Sequence, residues 1–259
     1  MTKNAQIIAT KTGHIGSLVF QNVGKHNALD QQAWLDIPSA LEDLMRQNVR
    51  AIVVSGHDQS FCAGADISEF DVVRKDAETA RVYEKANAEA FAALRNVAVP
   101  TIAKIKGFCL GGGFGLAAAC DIRLAEEQAR FAVPAAKLGL AYPVDAMADI
   151  VYAVGAQNAK RLLFTAAQFS ADEMLKFGFL SEVHADASLD TAVESLADEI
   201  ATLAPLTHRA TKASIDAALN GITSREQAAV VGDTTFESQD YAEGRKAFQE
   251  KRKAKFKGN

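Results

Sequence analysis

The stretch Gly107-Phe108-Cys109-Leu110-Gly111-Gly112-Gly113-Phe114-Gly115-Leu116-Ala117-Ala118-Ala119-Cys120-Asp121 sets three consecutive glycines between an apolar segment and a run of small residues. Just before it, Pro100-Thr101-Ile102-Ala103-Lys104-Ile105 alternates as a strand does, with the proline at its start. After the glycines, Leu116 to Ala119 suit a tightly packed helix. The glycines therefore fall where a strand turns into a helix. At such a turn, backbone N–H groups and the positive end of the helix dipole face whatever occupies it. With no Cβ in the way, a ligand can also come close to the main chain. Two accounts of the glycines follow: a backbone site for an anion, or close packing of helix on strand.

Upstream, Gly16-Ser17-Leu18-Val19-Phe20-Gln21 has the pattern of a strand that stops at Asn22-Val23-Gly24. Leu29, Trp34, Leu41, Leu44 and Met45 lie near helical spacing, and Pro38 predicts a kink or a helix start within that segment. Arg50-Ala51-Ile52-Val53-Val54-Ser55-Gly56 carries the β-branched run of a buried strand. Phe61-Cys62-Ala63-Gly64-Ala65-Asp66-Ile67 is a second small-residue turn, and residues 77–96 have the composition of a long helix. Strand, small-residue turn and helix thus occur twice, which predicts an α/β architecture with both turns on one side.

Downstream, Ile122-Arg123-Leu124-Ala125 and Arg130-Phe131-Ala132-Val133 predict two short strands, and the chain beyond Gly139 is mostly helical. Ser170-Ala171-Asp172-Glu173 has the form of a capping box. The last turns, Arg245 to Lys257, hold seven Lys or Arg. The chain divides into a core, residues 1–200, and a helical C-terminal region, residues 201–259.

Composition excludes several classes. A net charge of −4 supplies no basic field to draw in nucleic acid. Ile7-Ile8-Ala9 is too short for a signal h-region, and no run reaches the roughly 18 apolar residues of a membrane span. Neither nucleic acid nor a membrane is expected as a partner. Cys62, Cys109 and Cys120 are an odd number without C-x-x-C spacing. They suit a reducing, cytoplasmic compartment and act as small core residues.

The anion at the turns is narrowed by elimination. A Walker loop needs Lys and Ser or Thr after its glycines, but Phe114 and Gly115 follow Gly113. A dinucleotide fingerprint fails at Leu116. The histidines, at 14, 26, 57, 184 and 208, have no paired ligand spacing, so no metal is expected. Two strand-to-helix turns on one side do meet the requirement of an oxyanion hole, two convergent N–H groups aimed at one oxygen.

Both turns, with Cys120-Asp121 after the second, resemble the two signatures of the crotonase (enoyl-CoA hydratase/isomerase) superfamily. The resemblance extends from Lys25-His26-Asn27-Ala28-Leu29 to Phe248-Gln249-Glu250-Lys251-Arg252-Lys253. It implies a crotonase-like spiral of ββα units, followed by a C-terminal helical trimerisation region. It also implies an acyl-CoA thioester substrate, a homo-oligomer (a trimer or a dimer of trimers) and no cofactor beyond the coenzyme A carried by the substrate. The two oxyanion donors correspond to the backbone N–H groups of Ala65 and Gly112. Lys25, Ala63, Asp66 and Ile67 correspond to residues along the CoA path, and Phe248 and Lys251 to positions that reach the CoA of a neighbouring subunit.

The departures are as informative as the matches. Family hydratases carry one glutamate where this chain has Gly115 and another where it has Ala135. Each positioned acid or base is worth roughly 10²–10⁴ in rate, so loss of both argues against ordinary hydration. Candidate replacements are Tyr142 and Asp145, in Gly139-Leu140-Ala141-Tyr142-Pro143-Val144-Asp145. The Tyr142 stretch and Asp240-Tyr241-Ala242-Glu243-Gly244 resemble the methylmalonyl-CoA decarboxylase branch, which has a histidine where this chain has Ala65. Asp145 lies close to the aspartate that dienoyl-CoA isomerases use; the plain alternative for it is a helix cap. The resemblance thus leaves a non-standard acyl-CoA lyase or isomerase, a decarboxylase, or a catalytically silent acyl-CoA-binding subunit.

Overall fold

The computed structural model describes residues 4–219 and 225–259. An antiparallel hairpin of β1 (Gln6–Thr12) and β2 (Ile15–Gln21) opens the chain. Helix α1 (Gln31–Arg46) leads to β3 (Ala51–Gly56), which pairs parallel to β2. A 3-10 turn at Ile67–Glu69 runs into the short α2 (Phe70–Val73), and the long α3 (Ala77–Asn96) follows. β4 (Thr101–Ile105) joins β3 in parallel, β5 (Phe108–Leu110) leaves that sheet, and α4 (Gly112–Ala119) starts at once. The next turn repeats this with β6 (Ile122–Glu126), β7 (Arg130–Ala132) and α5 (Ala135–Leu138).

The remaining elements are α6 (Val144–Thr165), β8 (Phe169–Ser170), α7 (Ala171–Lys176), β9 (Glu182–His184) and α8 (Asp186–Thr202). Helices α9 (Pro205–Leu219), α10 (Arg225–Asp233) and α11 (Gln239–Gln249) close the chain. The large sheet has the order β1-β2-β3-β4-β6-β9, and the small sheet the order β5-β7-β8. A parallel bridge between Cys62 and Cys109 sets the stretch after β3 beside β5. Each circuit therefore contributes one stretch to the large sheet, one beside the small sheet, and a helix.

The core lies between these layers, with Trp34, Phe61, Phe91, Phe114, Phe131 and Phe179 fully buried. On the other side of the large sheet, Leu189, Val193 and Ala197 of α8 pack on Ile102 and Leu124. All three cysteines are buried and free. Burial pushes the Cys62 and Cys120 thiols up to about 12, which makes them inert core groups.

Pro38 does not start or interrupt α1. The helix begins earlier, at Gln31, where the Asp30 side chain accepts from Ala33 N–H at 2.9 Å, and it runs on through the proline. The Ser170–Glu173 capping box is present with both of its bonds. The basic tail is helical only as far as Gln249. Beyond it the chain folds back, and the Asp240 carboxylate accepts from Lys257 N–H at 2.7 Å and Gly258 N–H at 2.9 Å.

The glycine turn meets the close-packing account given above. A Cβ on Gly112 would lie 2.7 Å from Trp34 Cη2, and one on Gly113 would overlap the Cys62 carbonyl and sit 2.8 Å from Cys62 Cβ. Close packing at these two positions is what brings the turns together.

Candidate active site

Ala65 forms an isolated parallel bridge with Leu29. In it, Leu29 N–H donates to Gly64 C=O and Asp66 N–H donates to Leu29 C=O, each at 2.8 Å. A parallel bridge of that register turns the N–H of Ala65 to the opposite side, toward the cleft that Ala65 lines. Gly112 opens α4, so its N–H is one of the four that a helix leaves without an internal partner. A Cβ on Gly64 would lie 2.9 Å from Gly112 N, so the two turns are in direct contact. Neither N–H has an acceptor among the described residues. Two unpartnered donors thus belong to residues of separate turns that line one cleft.

The cleft encloses about 630 Å³ including its open mouth. Ala63, Ala65, Ile67, Gly111, Gly112 and Tyr142 line it, together with apolar groups such as Phe70, Phe91, Val133, Leu138 and Leu140. Ala135 adds only a methyl group to this wall. At Gly115 a Cβ would overlap the Tyr142 hydroxyl and lie 2.8 Å from Phe91 Cζ. The space of a glutamate side chain is filled from both sides.

Tyr142 donates its hydroxyl hydrogen to Gly111 C=O at 3.0 Å. Burial pushes its phenol well above the ordinary value, so it is a neutral donor fixed to the backbone of the glycine turn. Asp145 lies in the first turn of α6, and its side chain is outside the described part of the structure.

Lys25 and Asp66 meet beside the cleft, with Nζ 2.6 Å from the carboxylate, and Lys25 also donates to Ser68 Oγ at 2.9 Å. Burial alone would raise the Asp66 carboxyl, but hydrogen bonds from Lys25 and Ser68 hold it below the usual carboxylate range. The folded chain therefore binds its Asp66 proton less readily than the unfolded chain. The resulting stability is complete above the unfolded value, near pH 4, and is lost as pH falls through the lower folded value. Comparison of the parent chain with Asp66→Asn should show a melting-temperature gap that is constant from pH 8 to about pH 5 and closes in stronger acid. A gap unchanged down to about pH 2 would contradict this.

Phe248 and Lys251 do not reach the cleft of their own chain. Phe248 is 87 % exposed at the end of α11, in a groove with Tyr241 and Phe256.

The structure adds residues that sequence reasoning missed. Glu84, Asn87 and Phe91 lie on one face of α3 and line the cleft, as does Arg74. Arg74 Nη2 is 2.5 Å from a Glu84 carboxylate oxygen, and its guanidinium lies over the rings of Phe70 and Tyr83 at 4.7 and 4.4 Å. The signal was present, since two polar residues interrupt the face that also carries Tyr83, Ala90 and Leu94, all buried.

Residues 10–259 match the family model described as enoyl-CoA hydratase/isomerase. A crotonyl-CoA hydratase from Syntrophomonas wolfei is 32 % identical over 96 % of this chain and 97 % of its own length. A peroxisomal Delta(3,5)-Delta(2,4)-dienoyl-CoA isomerase from Arabidopsis thaliana is 29 % identical over 98 % and 97 %. The solved structure of an enoyl-CoA hydratase/isomerase family protein from Hyphomonas neptunium superposes with a TM-score of 0.93, at 34 % identity and 98 % coverage of both chains. The α/β spiral is thus crotonase-like, and a match that spans both turns and nearly every element makes this chain a member of the enoyl-CoA hydratase/isomerase family.

Proposed function

We propose that the cleft takes the acyl end of an acyl-CoA thioester and stabilises the enolate that forms when charge moves onto the thioester oxygen. The N–H groups of Ala65 and Gly112 donate to that oxygen. The observation that carries this is the pair of unpartnered donors from two turns in direct contact. Each such donor is worth roughly 10²–10³ in rate when the charge develops in a dry site. Lys25, Ala63, Asp66 and Ile67 line the path of the coenzyme. Phe248 and Lys251 serve the cleft of a second copy in a trimer or a dimer of trimers, which accounts for their distance from their own.

The reaction is a lyase or isomerase step other than ordinary hydration. Hydration needs a carboxylate to activate water beside the enolate, and the places at 115 and 135 are filled by Tyr142, Phe91 and a methyl group. A decarboxylase-like reaction is the second reading, favoured by the apolar wall of Phe91, Val133 and Ala135. There the leaving carbon dioxide generates the enolate, and the hole alone stabilises it.

Incubation of the purified protein with enoyl-, dienoyl- and malonyl-type CoA thioesters, followed by mass spectrometry, tests this. Isomerisation or decarboxylation is expected, with crotonyl-CoA hydrated only at a trace rate. Efficient hydration would overturn the account of Gly115 and Ala135. Binding without turnover of any thioester would make the protein a silent acyl-CoA-binding subunit instead.

A further inference from the structure

The polar cluster of Arg74, just after α2, with Glu84 and Asn87 on α3 has no role in holding a thioester oxygen, yet it is built into the same cleft. Three of its atoms are shut off from solvent without a hydrogen-bond partner: Arg74 Nε, one Glu84 carboxylate oxygen and Asn87 Oδ1. Asn87 is only 5 % exposed. Buried polar atoms of this kind are rare in folded proteins, because each is costly when left unpaired. Neighbours along the same wall do not relieve them, since Phe70, Phe91, Leu138 and Leu140 are apolar. The other Glu84 oxygen is taken by Arg74 Nη2, and the guanidinium is held over two rings. The Arg74–Glu84 pair is thus held in place and carries no net charge.

We infer that Arg74, Glu84 and Asn87 form a seat for a hydroxyl group on the acyl chain, several bonds beyond the thioester carbonyl. This rests on the acyl-CoA reading of the cleft and adds the substrate class. The unpartnered atoms are one donor and two acceptors. A hydroxyl can accept from Arg74 Nε while it donates to Glu84 or Asn87. A carboxylate can only accept, and it would meet two acceptor oxygens beside an arginine already neutralised. An alkyl chain would leave all three atoms unpaired.

The position along the chain follows from the helix. Phe91 adjoins the glycine turn, where it would touch a side chain at 115. With a rise of about 1.5 Å per residue, Asn87 lies about 6 Å and Glu84 about 10 Å further along α3. An offset of that size from Phe91 along α3 spans several carbon–carbon bonds, which sets the hydroxyl away from the glycine turn.

Calorimetric titration of the purified full-length protein with three saturated thioesters of equal length tests this. Hexanoyl-CoA, 6-hydroxyhexanoyl-CoA and adipoyl-CoA differ only at the distal end, as CH₃, CH₂OH and carboxylate. The hydroxylated thioester is expected to bind at least about tenfold more tightly than hexanoyl-CoA, with adipoyl-CoA weakest. Asn87→Leu, which keeps the Arg74–Glu84 pair, should reduce that preference about tenfold. Glu84→Gln should reduce it as well. Equal affinity for hexanoyl- and 6-hydroxyhexanoyl-CoA, or a preference that survives in Asn87→Leu, overturns the inference and leaves the thioester reading standing. Tightest binding of adipoyl-CoA also overturns it, in favour of carboxylate recognition. Failure of all three to bind overturns the thioester reading and the inference together.

Discussion

Replacement of Ala65 by proline is expected to lower kcat by roughly 10²–10³-fold on the thioester the protein turns over, with little change in melting temperature. Proline removes the amide hydrogen and sets its ring Cδ in the same place, so both changes fall on the proposed donor position. That N–H has no acceptor in the folded chain, whereas the two bonds that hold the segment use Gly64 C=O and Asp66 N–H and survive the change. The preceding residue is Gly64, at φ +93°, which has no Cβ to meet the proline ring. Proline at Gly112 is a poorer test of the same idea. A Cβ there would press on Trp34, so lost activity would be mixed with lost packing. Steady-state kinetics with thermal melting decides the matter: a kcat within about twofold of the parent's in a normally folded Ala65→Pro protein contradicts the donor role.

The second large effect is on stability. Gly115→Glu, which restores the side chain of family hydratases, should destabilise the fold by about 3 kcal/mol or more and confer no hydratase activity. The new Cβ would overlap the Tyr142 hydroxyl and lie 2.8 Å from Phe91, on a helix face where residue 115 is buried. A carboxylate placed there would also lack a cationic partner among the described residues that line the cleft, because Arg74 is already paired with Glu84. Combining it with Tyr142→Ala should cost less than the sum of the two single changes, since removal of the phenol opens the space the glutamate needs. Urea unfolding of the four proteins gives the numbers. A stable Gly115→Glu chain with crotonyl-CoA hydratase activity would show that glycine at 115 is incidental.

Most of the architecture was legible in local patterns. The limits of α3 follow composition and the Asp76 cap, and the two small-residue turns fall where strand-like segments end. Three features were not legible. β1 alternates weakly and is mostly exposed or half-buried, so it owes its form to pairing with β2 rather than to its own pattern. Pro38 predicts a kink or a helix start, but Ala33, Trp34, Ile37, Ala40, Leu41 and Leu44 bury one face of α1, and the helix runs from Gln31 through the proline. The short β5 intervenes between β4 and the glycines, so a strand that moves from one sheet to the other looks in sequence like a single strand.

The site was legible where backbone chemistry decides it and obscure where distant side chains do. Glycines and alanines in two turns mark where the turns can touch, because only small residues allow that approach. What occupies the space of the absent glutamates could not be read from Gly115 or Ala135. It depends on Tyr142 arriving from the α5–α6 connection and on Phe91 from α3. Among the described residues, the carboxylate that lines the cleft is Glu84, far from either position in sequence and in a helix whose abundance of Glu masks it.

Isotope-edited infrared spectroscopy of hexanoyl-CoA carrying a ¹³C thioester carbonyl tests the hole most directly, because it needs no knowledge of the reaction. Two N–H donors on one oxygen weaken the C=O bond. The carbonyl band should therefore move to lower wavenumber on binding to the parent protein, and by a smaller amount on binding to Ala65→Pro. A bound thioester whose band stays at its solution position, or shifts equally in both proteins, would contradict the assignment of Ala65 and Gly112 as the oxyanion donors.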